Sequence, residues 1–332
     1  MTVSPYTPTP FAQPIANPAM GGAGEPYPYI SVSEYNYAPT AMDTSNLVPN
    51  GSPADQIRAT ADTIRRASSW ADQIVFGADM ASKGCSLCAS ISVETDRVTA
   101  INGELRLMCD YKPLVEVLGV DIGFDMSNLS SVGPSVASQI HMGRRTIHVP
   151  IMPLIYRGGS TMYPAVSQAA GTYVAVWSYV NGYPHTQLAA PIAAGATSCQ
   201  VLPTDGGTGL VGIVPGVTRL TIRDGTFTES FTVGSVSGTT LTLVSGTSFA
   251  YAHTPPAAPD SLMVSALPAA VEEAVILLTT VLIKTRGDNS LVLEELTEPK
   301  DIKKATGDEF EDLNLAVNML MPFRVRYKAG RR

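Results

Sequence analysis

The chain has 332 residues, 45% of them hydrophobic, which is enough for two average domains or for one core domain carrying a large insertion. Its formal net charge of −7 argues against a protein that coats nucleic acid, because neutralising phosphates requires clustered Lys and Arg side chains. No apolar run approaches the roughly 20 residues needed to cross a bilayer, the N-terminus does not resemble a secretory signal, and four cysteines in a chain of this length do not make a disulfide scaffold.

The first 50 residues are rich in proline, with five tyrosines among the prolines. Proline removes backbone donors and disfavours helix in the preceding residue, so residues 1–50 are predicted to form an extended N-terminal segment. The composition also fits a disordered tail. The tyrosines favour a segment that docks on a neighbouring subunit or another partner; they are Tyr6, Tyr27, Tyr29, Tyr35 and Tyr37.

A long helix is predicted to start directly after this segment. Ser52 suits the N-cap, Pro53 the first helical position and Asp55 the first turn. Small and apolar residues then recur at steps of three and four until Gly77, whereas Asp72 and three arginines lie on other faces. The apolar stripe consists of Ile57, Ala61, Ile64, Ser68, Ala71 and Val75.

From Ile91 the hydrophobic pattern changes to the period of two that is typical of strands. Asn102-Gly103, between two such runs, is a strong hairpin signal. Further strands are predicted at 146–149 and 172–180. Residues 51–187 are therefore expected to combine the long helix with a small antiparallel β-unit.

Residues 188–259 have a different composition, rich in Gly and Thr and without Lys, Met or Trp. Apolar residues alternate along several short runs, and the turns Asp224-Gly225 and Ser237-Gly238 separate them. We interpret this segment as an inserted all-β domain, either a barrel or a sandwich, because helix resumes after it.

Two helices are predicted in residues 260–322. The first starts at Pro268 and ends near Arg286; it is apolar almost all round, so we expect it to be buried on several sides. Packing between identical subunits would supply those sides. The predicted inter-subunit packing residues are Val271, Val275, Leu278 and Leu282. A last helix, with Phe310, Leu313, Val317 and Leu320 in register, stops at Pro322.

The C-terminal segment, residues 323–332, carries five basic residues and no acidic one. It is either a solvated end or a peptide that docks on an acidic partner surface through its charges and two aromatic anchors. The predicted docking residues are Phe323, Arg324, Arg326, Tyr327, Lys328, Arg331 and Arg332. The whole pattern predicts an α+β fold: a small helical bundle with an antiparallel β-unit, plus the inserted all-β domain.

The motifs of common catalytic and cofactor sites are missing from the sequence. There is no phosphate-binding glycine loop, no nucleophile elbow and no His-Glu-x-x-His. The four histidines are scattered, and adjacent acids such as Glu272 and Glu273 point different ways on a helix. We therefore predict no catalytic, cofactor-binding or metal-binding residues, and no enzymatic activity.

Cys85 and Cys88 have the spacing of half a zinc site, which Cys109 or His141 could complete. A second short-spaced pair is missing, however. The pair also precedes a strand, whereas a redox pair needs the N-terminus of a helix to lower a thiol pKa. We interpret these cysteines as small, semi-buried packing residues.

The order of these segments resembles that of the head-to-tail adaptor (connector) proteins of long-tailed bacteriophages, particularly phages that infect actinobacteria. Three phrases carry the resemblance, which covers roughly residues 50–327. They are Lys112-Pro113-Leu114-Val115-Glu116-Val117 in a strand, Leu267-Pro268 at the start of the second long helix, and the ending Leu320-Met321-Pro322-Phe323-Arg324.

The resemblance implies a structural virion protein at the head-tail interface, the neck, assembled in the bacterial cytoplasm. Usually twelve copies form a ring around a channel through which DNA passes without sequence-specific binding. The implied partners are further copies of the chain, the portal protein, which the C-terminal segment would reach, and the next connector (stopper) or tail terminator protein. No cofactor and no membrane contact is implied.

Two other functions stay open at the level of sequence. The inserted β-domain could recognise carbohydrate or another surface, with Phe227, Phe231, Phe249 and Tyr251 as its aromatic residues. A metalloprotein or enzyme built on Cys85 and Cys88 is the other alternative, and bound zinc would be its signature.

Overall fold

A computed structural model gives the structure of this chain. It describes residues 28–45, 47–81, 85–132, 139–143, 145–150, 171–204, 210–256, 260–285 and 311–325. The fold is mixed α+β with mostly antiparallel strand pairing. Of the described residues, one compact unit comprises Ala89–Gly182 and Val325, and the other joins residues 28–88 to Tyr183–Arg324.

The unit Ala89–Gly182 contains two antiparallel sheets over one hydrophobic core. Its strands are β1 (Ser90–Thr99), β2 (Glu104–Met108), β3 (Leu114–Gly123), β4 (Ser130–Ser131), β5 (His141–Met142), β6 (Thr146–Pro150) and β7 (Thr172–Asn181). One sheet has the order β1-β7-β3-β4 and the other the order β2-β6-β5. Alternate residues of β7, among them Trp177 and Tyr179, enter the shared core, as the period of two requires.

The predicted antiparallel β-unit and its strands at 146–149 and 172–180 are confirmed, but the predicted hairpin is wrong in its pairing. Asn102 and Gly103 do form a tight turn, with φ of 54° and 75°, and Ile101 pairs with Glu104 across it. Beyond that pair, β1 joins β7 and β2 joins β6, so the turn connects two sheets.

The described helices of the other unit are α1 (Val32–Tyr37), α2 (Pro53–Phe76), α3 (Ala78–Ala81), α4 (Ala269–Lys284) and α5 (Glu311–Leu320), and a 3₁₀ turn follows at Met321–Phe323. The predicted start of α2 is confirmed: the Ser52 and Asp55 side chains form a reciprocal capping box, with Pro53 at the first helical position. Gly77, at φ 83°, ends the helix. All residues of the predicted stripe except the exposed Ile57 are buried or nearly so.

Helix α4 contacts both α2 and α5, and α5 also contacts α2. Pro268 is the N-cap of α4, and Leu320 is buried where α5 gives way to the 3₁₀ turn containing Pro322, as the sequence predicted. Phe310, Arg286 and Gly287 lie outside the described residues. None of the described helices is both long and apolar enough to cross a membrane.

The same unit contains a curled six-stranded antiparallel sheet, a half-barrel. Its strands are β8 (His185–Gln187), β9 (Ser198–Gln200), β10 (Arg219–Arg223), β11 (Thr228–Ser237), β12 (Thr240–Leu243) and β13 (Met263–Ser265), in the order β8-β13-β10-β11-β12-β9. Leu188 directly follows edge strand β8, and Val201 directly follows edge strand β9. A β-bridge between these two residues brings the edges of the sheet together, so the sheet is curled. The predicted turns at Gly225 and Gly238 connect β10 to β11 and β11 to β12.

The prediction that residues 1–50 are extended is wrong for part of the described residues, because these include a short helix. Residues 32–37 form α1, because the Ser31 hydroxyl caps the N–H group of Glu34 at 2.9 Å. Tyr29 and Tyr35 are buried in their own chain and do not face a neighbouring subunit. Residues 1–27, with Tyr6 and Tyr27, lie outside the described residues.

Candidate functional site

The four residues of α4 that were predicted to pack between subunits are instead buried within their own chain. Val271, Val275 and Leu278 are 0% exposed and Leu282 is 3% exposed within a single chain. A side chain with no accessible surface has none left to bury against a second subunit. Helices α2 and α5 pack against α4, whereas the sequence analysis had expected neighbouring copies to bury this helix.

Two of the seven predicted docking residues lie in the described part of the C-terminal segment. The ring of Phe323 is half-buried and meets Tyr183 edge-on, with ring centroids 6.3 Å apart. Arg324 is exposed. The other predicted docking residues, Arg326, Tyr327, Lys328, Arg331 and Arg332, lie outside the described residues.

The two spaced cysteines are buried close to Asp72 and Tyr29, whose burial and pairing the sequence did not predict. The Tyr29 hydroxyl donates to Asp72 Oδ1 at 2.5 Å, and the N–H of Leu87 lies 3.1 Å from the same oxygen. Burial raises the pKa of Asp72 to about 7, although these hydrogen bonds lower it. Burial, and then the charge of Asp72, raise the pKa of the Cys88 thiol far above its ordinary value.

A buried thiol with a raised pKa is a poor nucleophile near neutral pH. In the described ranges, no group of three or more His, Cys, Asp and Glu side chains is arranged to hold a metal ion. The segment around Cys88 instead joins two distant parts of the chain. Cys88 forms a β-bridge with Tyr183, and the Leu87 carbonyl accepts a hydrogen bond from the Tyr183 N–H at 2.8 Å.

A cluster of charged side chains gathers where strand β10 ends. Arg223 forms ion pairs with Glu272 on α4 and, at 3.2 Å, with Glu34 on α1. Glu272 is 4% exposed, although an acidic side chain on a helix normally faces water. Burial raises the pKa of Glu34 to about 7, against the lowering effect of Arg223. This cluster ties the half-barrel to two helices.

The residue after Arg223 starts a second cluster around a fully buried histidine. His253 Nδ1 lies 2.8 Å from Asp224 Oδ2, and its Nε2 lies 3.4 Å from Glu229 Oε2. Both ring nitrogens face carboxylate oxygens, so both contacts are hydrogen bonds only when the imidazole carries two protons. The two acids also accept backbone N–H groups, Asp224 from Phe227 at 2.6 Å and Glu229 from Ala250 at 2.7 Å.

These contacts hold exposed aromatic rings at the β10–β11 turn. Phe227 and Tyr251 stack nearly parallel, with centroids 4.3 Å apart and 10° between the ring planes. Tyr37 of α1 lies over Gly225, so close that a Cβ there would be 2.4 Å from the Tyr37 ring. The residues Tyr37, Phe227 and Tyr251 are 67%, 42% and 43% exposed, and we call them the aromatic patch.

The four aromatic residues of the predicted β-domain thus separate into two pairs. Phe231 and Phe249 meet edge to face at 5.0 Å and belong to the half-barrel core. Only Phe227 and Tyr251 are exposed. Sequence alternation could have made this distinction for Phe231, which lies on β11, but not for the loop residues.

An open cleft of about 560 Å³ lies among α1, the chain that follows it and the first turns of α2. Its lining includes the apolar side chains of Val32, Met42 and Ile57, and Asp43 is its one charged residue. The described lining adds the hydroxyls of Thr44, Ser45 and Thr60 but no histidine, lysine or arginine, so it does not form a catalytic constellation.

Comparisons with protein-family models, with curated proteins and with solved structures found no match to this chain.

Proposed function

We propose that this chain is a structural, non-enzymatic component of a bacteriophage neck. In this proposal it forms a ring, in about twelve copies, between the portal of the capsid and the next connector or the tail terminator, and DNA passes through the ring. The finer architecture that goes with it, a small helical bundle carrying an inserted all-β domain at 188–259, belongs to the same proposal.

The succession and packing of the elements is the observation that supports the proposal. The capped helix α2, the antiparallel β-unit, the half-barrel, α4 after Leu267-Pro268 and α5 before Pro322 follow one another in the order found in the resemblance. The chemistry of the described sites agrees with a structural role, because their carboxylates, arginine and histidine bond to one another and to backbone groups.

The buried state of α4 changes which surfaces would form the ring. Contacts between copies would use side chains that remain exposed in the single chain, such as the aromatic patch in one unit and Phe124 and Met126 in the other. An exposed Arg324 is available for the portal.

The size of the purified full chain tests the ring. Mass photometry should show a particle about twelve times the 35.0 kDa chain mass, and electron microscopy should show it closed and with a central channel. A chain that stays monomeric at every concentration and does not bind its portal would overturn the proposal.

The portal contact is tested by Arg324→Glu, which reverses a charge in the proposed docking segment. We expect portal binding to weaken by about tenfold while the ring stays intact. Arg219→Glu is the matched control, because Arg219 is also exposed but lies on β10 of the half-barrel. Equal loss of portal binding in both variants would contradict a specific role for the C-terminal segment.

Carbohydrate recognition by the half-barrel is the second candidate, and the exposed stack of Phe227 and Tyr251 favours it. Against it, Asp224 and Glu229, the acids nearest the stack, already bond to His253 and to backbone N–H groups. Sugar binding on a glycan array that disappears in Tyr251→Ala would support this candidate.

A further inference from the structure

The aromatic patch has the chemistry of a proline-binding surface. Proline-rich segments in the polyproline II conformation bind to surfaces lined by aromatic rings, because the segment is already extended and little conformational entropy is lost. Tyr37, Phe227 and Tyr251 are exposed, yet their backbones are fixed by α1, by the Asp224 turn and by Glu229. The patch is therefore pre-organised as well as apolar.

The chain itself contains a segment of matching chemistry. Residues 5–10 read Pro-Tyr-Thr-Pro-Thr-Pro, which contains the Pro-x-x-Pro spacing of polyproline II ligands. This segment precedes the described residues, which begin at Pro28. It carries no acidic or basic side chain, so an apolar aromatic surface can bind it without desolvating a charge.

The position of Pro28 and the length of chain before it set how far residues 5–10 can reach. The Pro28 carbonyl oxygen lies 2.9 Å from His185 Nε2 on β8, and β8, β13 and β10 are consecutive in the sheet. The chain therefore enters the half-barrel two strands, roughly 10 Å, from the strand that leads into the patch. The 18 residue steps from Pro10 to Pro28 span at most roughly 56 Å in a polyproline II chain, at about 3.1 Å per residue, so residues 5–10 could reach the patch of a neighbouring copy.

We propose that the aromatic patch of Tyr37, Phe227 and Tyr251 binds residues 5–10 of a neighbouring copy. This inference rests on the proposed ring, in which neighbouring copies present the segment and the patch to each other. The segment then acts as a strap that links each copy to the next one.

Cross-linking between two full-length variants tests the strap. One variant carries Thr7→Cys in the segment and the other carries Thr226→Cys at the exposed tip of the Asp224 turn; the described native cysteines are all buried. Under oxidation of the mixed ring, we expect a covalent pair of two chains. The matched control replaces Thr226→Cys by Val217→Cys, which is 75% exposed but precedes β10 at its opposite end, and it should give roughly tenfold less product.

Two further variants show whether the rings and the prolines make the contact. Phe227→Ala with Tyr251→Ala in the patch copy, or Ala at Pro5, Pro8 and Pro10 in the segment copy, should each lower the cross-linked fraction roughly tenfold. Because the two rings are exposed, the thermal unfolding temperature of the patch variant should stay close to that of the original chain.

The possible failures separate this inference from the proposed function. If the ring forms but the cross-link stays at the level of the Val217→Cys control, the strap is wrong and the ring stands. If Thr7→Cys and Thr226→Cys placed in one chain link only to each other, the segment binds its own copy and the inference is wrong. If neither a ring nor a cross-link forms, both proposals fail.

Discussion

Asp72 is an acidic side chain on α2 that is enclosed by its own chain, and its environment makes it sensitive to pH. The Tyr29 hydroxyl and the Leu87 N–H both contact its Oδ1 atom, and burial raises its pKa to about 7. The folded state therefore binds more protons than the unfolded state between about pH 4 and pH 7. The contribution of Asp72 to the free energy of unfolding is complete below this window and falls as the pH rises through it.

Asp72→Asn should remove this pH dependence, because an amide keeps the shape and the acceptor oxygen but cannot ionise. Relative to the original chain, the free energy of unfolding of the variant should improve with rising pH between pH 4 and 7, by at most about 1.4 kcal/mol per pH unit. Urea unfolding at several pH values measures this difference.

Asp62→Asn is the control for this prediction, because Asp62 is an exposed acid on the same helix. Its pH profile should follow that of the original chain. An unchanged pH profile in Asp72→Asn would show that Asp72 stays ionised in the folded protein.

At the scale of elements, local signals in the sequence predicted local structure well. The ends of α2 followed from Ser52, Pro53 and Gly77, and the turn followed from Asn102-Gly103, because caps and left-handed turns depend on a few adjacent residues. Strand pairing did not follow. The partner of β1 is β7, about 80 residues away, and no local signal in either strand indicates the other.

The charged cluster at the end of β10 could not be predicted from local sequence patterns either. Glu272 stands in an almost entirely apolar helix, where an acid normally faces water. Its partner Arg223 lies about 50 residues away on a strand, and no pattern in either element indicates the other. Aromatic exposure was equally hidden, since Phe227 and Phe249 differ only in what the tertiary fold places over them.

Arg223→Met should be strongly destabilising, because it leaves the buried carboxylates of Glu34 and Glu272 without their cation. We expect a loss of about 3 kcal/mol in the free energy of unfolding near pH 7, partly recovered when Glu272→Gln is added. Arg219→Met, an exposed position on the same strand, should change it by no more than about 0.5 kcal/mol. If Arg223→Met lowered the free energy of unfolding as little as Arg219→Met, the ion pairs of Arg223 would contribute no more than an exposed charge does.

At the scale of the whole molecule, the described chain covers its most apolar helix without help from another copy. An assembly of such chains joins folded subunits through residual exposed patches, whereas an obligate assembly completes a missing core. This difference matters for the proposed ring. Its formation should depend on protein concentration and on surface residues, and a dissociated subunit should remain folded.

Leu278→Ala on α4 distinguishes these two kinds of assembly. Because Leu278 is fully buried in its own chain, the variant should lose about 2–5 kcal/mol in the free energy of unfolding of the single subunit. Leu315→Ala on α5 is the control, since Leu315 is 48% exposed and its removal leaves no cavity. Denaturant unfolding and mass photometry of both variants should show a less stable Leu278→Ala subunit whose ring, where it is still folded, has the original size. A Leu278→Ala chain with unchanged subunit stability and a weakened ring would instead return α4 to the interface between copies.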